Sequence, residues 1–204
     1  MAFIDNLAFL LFTISFAGLL LLYTVSSMYL VYRSRKKDYI GHLEGASVPM
    51  MIVGAYLVVA GFVGQILWPL PGSYNILFFD PLVSFGLVTL SFAIAIRFKV
   101  NLEYAGFFGL LVGAMTLIYG WQGYNIGLTQ EPFALLALYI FYGIAGLLSY
   151  PVALIADRLP GLQKNPWIGW HIILVIFWLM LFAASITSAY IGTAAIAGHL
   201  VSAP

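Results

Sequence analysis

Two groups of side chains in this sequence have the types and spacing that chemistry would require. The first is His42-Leu43-Glu44 with Glu103 and His171. Imidazole and carboxylate together hold Zn²⁺ or a non-haem iron, so His42, Glu44, Glu103 and His171 are the candidate metal ligands. Glu44 and Glu103 each stand nine residues before a Val-Gly-Ala triplet, at Val53 and Val112. The same residues have a commoner use. Glutamates near helix starts complement the positive end of the helix dipole, and histidines at a membrane interface keep their polar ends wet. Bis-histidine haem ligation is served less well, because only His171 of the three histidines falls within an apolar run and His199 lies toward the opposite face.

The second group is Tyr74, Asn75 and Asp80 with Tyr124, Asn125 and Glu131. Brought together, two carboxylates and two amides would suit a hard cation such as Ca²⁺ or a polar partner surface. Asp80-Pro81 and Glu131-Pro132 also read as helix starts, an acidic N-cap followed by proline at the first helical position. Tyr and Asn then serve as turn residues. Neither group assigns a cofactor, and neither is a catalytic signature.

The elements that must position these residues are legible from the distribution of charge. The chain of 204 residues is 63% hydrophobic and 7% charged, with mean hydropathy +1.04. Soluble domains carry about 25% charged residues. A span needs about 20 mostly apolar residues, and six runs qualify, near 7–32, 46–68, 81–98, 104–122, 133–156 and 167–190. The expectation is an all-α integral membrane protein, a single transmembrane domain of six helices. The eight basic residues fall in alternate connections: Arg33, Arg35, Lys36 and Lys37, then Arg97 and Lys99, then Arg158 and Lys164. Cytoplasmic loops collect Lys and Arg, so both termini are expected outside a multi-pass cell-membrane protein. No basic region precedes the first apolar run, which reads as a span and not as a cleaved signal. Each charged residue is expected at a span end or in a loop.

Part of the sequence repeats. Met51-Ile-Val-Gly-Ala55 recurs as Leu110-Leu-Val-Gly-Ala114, with Gly61 and Gly64 matched by Gly120 and Gly123. The external loops echo each other through Tyr74-Asn75-Ile76 and Tyr124-Asn125-Ile126. This predicts a parallel repeat of helical hairpins, spans 2–3 and 4–5, related by an axis along the membrane normal. The glycines, Gly109-xxx-Gly113 among them, are expected to let helices approach closely.

Other functional classes lose support. With no Cys there are no disulfides, thiolate metal sites or cysteine nucleophiles. A net charge of +1 offers no surface for nucleic acid. The stretch Trp68-Pro-Leu-Pro-Gly-Ser-Tyr-Asn-Ile-Leu-Phe-Phe-Asp-Pro81, with Gly127-Leu-Thr-Gln-Glu-Pro132 and Tyr142-Gly-Ile-Ala-Gly-Leu-Leu-Ser-Tyr-Pro151, resembles a family of small archaeal membrane proteins of unknown function. The likeness covers roughly residues 40–160 and implies an archaeal cell membrane, with no activity to carry over. The leading expectation is a non-catalytic, accessory subunit of a larger membrane complex, of respiratory or other electron-transfer type. Its partners would be the lipid bilayer and other membrane subunits or further copies of itself. A small-solute or ion facilitator is the first alternative and a metal-dependent membrane enzyme the second.

Overall fold

The computed structural model describes residues 6–33, 39–129, 131–159 and 167–201. Arg35, Lys36, Lys37 and Lys164 lie outside the described residues, as do the side chains of Arg33, His42 and His199. Six helices follow in order: α1 Asn6–Arg33, α2 Tyr39–Leu67, α3 Ser73–Phe98, α4 Glu103–Asn125, α5 Pro132–Arg158 and α6 Ile168–Val201. All six are long and apolar enough to cross a membrane. Such segments form helices because in hydrocarbon every backbone N–H and C=O must find its partner within the segment. The chain is compatible with a six-span membrane protein.

The helices close into a ring. Each packs on its neighbours in the chain, and α6 returns to pack on α1. Hairpins α2–α3 and α4–α5 have the most extensive contacts, and glycines make them so. A Cβ on Gly54 would lie 2.9 Å from Leu90 N and 3.1 Å from Gly86 O. A Cβ on Gly113 would lie 2.6 Å from Leu147 N and 2.7 Å from Gly143 O. At both positions the backbones of neighbouring helices touch, which only glycine permits. Outward faces stay apolar: Ile52, Val59, Phe62 and Ile66 of α2 are exposed, as a lipid-facing surface requires.

One expected boundary moves. Helix α3 was expected to start at Pro81 and starts at Ser73, so Asp80 is not an N-cap and Pro81 sits inside the helix. Proline supplies no N–H to the carbonyl four residues back, here Leu77 O. The fold repairs this from another helix, because the Tyr139 hydroxyl of α5 donates to Leu77 O. That donor lies far along the chain, so the interior proline reads locally as a helix start. Glu131 does hold the N-cap position of α5, with Pro132 following, but its side chain makes no capping bond.

Candidate functional site

The moved boundary places a carboxylate inside a span. Asp80 lies about 10 Å along α3 from Ser73 at 1.5 Å per residue, within the apolar helix Ser73–Phe98. This corrects the expectation that charged residues are confined to span ends and loops. Burying a charge in apolar surroundings is costly unless it is hydrogen-bonded, and Asp80 has two donors. Gln65 Nε2 of α2 donates to Oδ1 at 2.8 Å, and the Tyr119 hydroxyl of α4 donates to Oδ2 at 2.8 Å. One side chain thereby ties α2, α3 and α4 together. Neither partner stands out in the sequence as a functional residue. Gln65 was nonetheless visible as an amide within an apolar run.

In the rest of the second group, Asn75, Tyr74 and Tyr124 serve local packing. Asn75 is 1% exposed; its amide donates to Gly64 O at 3.1 Å and its carbonyl accepts from Leu70 N at 3.2 Å, holding the α2–α3 turn. Tyr74 stacks on Phe78 at 6.2 Å. Tyr124 packs against Trp121 at 6.3 Å and Phe133 at 5.3 Å. Asn125 ends α4, and both it and Glu131 are exposed.

At the other end of the ring, Glu44 pairs with residues at the α3 terminus. Its carboxylate lies 2.7 Å from Lys99 Nζ and 3.7 Å from Arg97 Nη1. Glu103 occupies the first turn of α4, as expected of an acid complementing a helix start. His171 meets the Tyr29 ring edge-on at 5.7 Å. Among the described residues, no three His, Asp or Glu side chains gather as a metal site would need.

A cap that the sequence analysis missed also lies at this end. Asp157, near the end of α5, accepts from Leu102 N at 3.0 Å and Glu103 N at 2.9 Å. An antiparallel neighbour therefore satisfies two of the free N–H groups that open α4. In sequence, Asp157 reads only as a loop charge beside Arg158. We expect Asp157→Ala to destabilise the protein by about 1–3 kcal/mol, the range for orphaned buried donors and lost caps. Asp157→Asn, which still presents an acceptor, should recover part of this in thermal unfolding in detergent micelles. Equal losses for both variants would show that the charge, and not the acceptor, matters.

Between the helices lies a partly open cavity of about 130 Å³. All six helices line it, among them Leu11 of α1, Met50 of α2, Phe85 of α3, Val112 of α4, Ala145 of α5 and Phe177 of α6. Among the described residues, no charged side chain lines it. Phe85 and Tyr142 meet across the interior with ring centroids 4.9 Å apart. Chemically this is an apolar lumen, suited to hydrocarbon and unsuited to an ion in transit.

No curated protein and no solved structure matches the chain. The family model described as "Protein of unknown function (DUF981)" matches residues 1–202, so the chain belongs to that family.

Proposed function

We propose that the chain is a non-catalytic, accessory subunit of a larger membrane complex, with an electron-transfer assembly as the first place to look. The observation that carries this reading is the structural use of its acids. Asp80 ties three helices, Asp157 caps α4, and Glu44 holds the α3 terminus. An enzyme or proton relay would keep such groups turned toward a substrate or pathway. The apolar lumen likewise favours a subunit over the ion facilitator. Purification from native membranes in a mild detergent tests the reading. The chain should migrate far above its own 22.4 kDa with a partner at fixed stoichiometry. A lone chain that carries solute flux in liposomes, or holds stoichiometric metal, would point to one of the alternatives instead.

Orientation and symmetry belong to the same proposal. Both termini face outward, with the Arg97–Lys99 connection in the cytoplasm, by the distribution of basic residues, in an archaeal cell membrane by the family likeness. Hairpins α2–α3 and α4–α5 form a parallel repeat, supported by glycine contacts: Gly54 rests on Gly86 and Leu90 as Gly113 rests on Gly143 and Leu147. That register sets Asp80, six residues before Gly86, against Ala137, six before Gly143. Asp80 and Glu131 are then not equivalent, and the external sites are not a symmetric pair. Single cysteines at Ser73 and Asn101 check the orientation. With an impermeant thiol reagent added to intact cells, Ser73→Cys should label and Asn101→Cys should not; labelling in the reverse sense overturns the assignment.

A further inference from the structure

We propose that the lumen of the helix ring is a binding site for a single hydrocarbon chain, and that this occupant completes the core. Two observations disfavour water as the natural filling. The lining includes five hydroxyl side chains, Thr24, Thr116, Tyr139, Tyr142 and Ser149, and each has already given its hydrogen to the protein. Thr24 donates to Leu20 O at 2.7 Å, Thr116 to Val112 O at 2.8 Å, and Ser149 to Gly106 O at 2.8 Å. Tyr139 donates to Leu77 O, and Tyr142 to Ile14 O at 3.2 Å. Buried water needs two to four polar partners, and apolar cavities without them stay dry and take up apolar molecules. Every other described residue on the wall is Leu, Ile, Val, Met, Phe, Ala, Pro or Gly.

Shape selects the occupant. On α5 the lining runs from Leu138 to Ala156, about 27 Å at 1.5 Å per residue, close to the roughly 30 Å hydrocarbon thickness of a bilayer. A cavity of about 130 Å³ drawn out over that length is narrow. At 10–15 Å³ for each water-sized group it accommodates about ten. A wall that extends so far for so small a volume, with Phe85 and Tyr142 meeting across the interior, suits one flexible chain better than a compact or planar ligand. The chain belongs either to a headgroup-bearing membrane lipid or to a lipid-soluble molecule with a long apolar tail, and the wall chemistry is the same for both.

Photolabelling of the full chain in native-lipid nanodiscs tests the proposal, using a 16-carbon fatty acid with a diazirine at mid-chain. Adducts should appear on lumen residues such as Phe85, Val112 and Ala145, besides those on the lipid-facing Ile52 and Phe62. Val112→Phe should cut lumen adducts at least tenfold and leave adducts at Ile52 and Phe62 unchanged. Ala145→Leu is the second filling variant, and the parent protein decides the matter should neither variant fold. Lipid-facing adducts with none in the lumen of the parent would overturn the proposal, as would lumen adducts that filling does not reduce. Mass spectrometry of what the purified parent releases into organic solvent identifies the source. A species with a polar headgroup is a membrane lipid, and one without is a free apolar molecule. Release of neither at about one per chain would also overturn it.

Discussion

Gly113→Leu should remove most of the folded protein from the membrane fraction, the largest effect expected of any single substitution here. The added side chain starts 2.6 Å from Leu147 N and 2.7 Å from Gly143 O. Both are backbone atoms of α5, so no rotamer change makes room, and α4 and α5 must separate along a face where they lie in close contact. In a bilayer, helix pairing rests on close packing, because lipid tails are as apolar as the side chains they would replace. Overpacking in cores costs about 1–3 kcal/mol, and a collision with fixed backbone belongs at or above the top of that range. Total stabilities of about 5–15 kcal/mol leave little margin for such a loss. Gly45 is the control, since nothing lies within 4 Å of a Cβ there. Gly45→Leu should unfold near the parent temperature. Similar unfolding of Gly113→Leu and Gly45→Leu in detergent micelles would refute the close-approach account.

Asp80→Leu should come next, at about 2–4 kcal/mol, because it strands both the Gln65 amide and the Tyr119 hydroxyl. Both partners are half-buried, and leaving a buried group unpaired costs about 1–3 kcal/mol, so the two together fall within that range or a little above it, at the junction of three helices. Asp80→Asn should be much milder. Its amide oxygen can accept from Gln65 Nε2, as Asp80 Oδ1 does at 2.8 Å. Its amide nitrogen can donate to the Tyr119 oxygen, which lies 2.8 Å from Oδ2. Tyr119→Phe in the Asp80→Leu background should add little further loss, since the two changes remove one shared interaction and such pairs are not additive. A double-mutant cycle measured by unfolding reads this directly. Full additivity, or Asp80→Asn as damaging as Asp80→Leu, would show that the network does not hold the helices together.

How far the sequence reaches depends on how local the physics is. Composition and the apolar runs determine six helices by themselves, because hydrocarbon permits few other ways to satisfy a spanning backbone. The close approaches at Gly54 and Gly113 were also legible, since small residues at helical spacing have no other strong reason to recur. Asp80 was misread for a definite reason. Acid followed by proline is a local signal for a helix start, but the carbonyl that Pro81 frees at Leu77 is satisfied by Tyr139, a donor two helices away. The role of Asp157 is not legible for the same reason, because its capping partners belong to another helix. The lumen could not be read from the sequence at all. Its wall is assembled from all six helices, and none of those residues differs in type from an ordinary lipid-facing or core side chain. Sequence determined the six apolar helices and the glycine contacts, which arise from residue type and period within one segment. Only the tertiary structure decided which polar groups meet and where space is left, because both depend on the closure of α6 onto α1 and the resulting distances between helices.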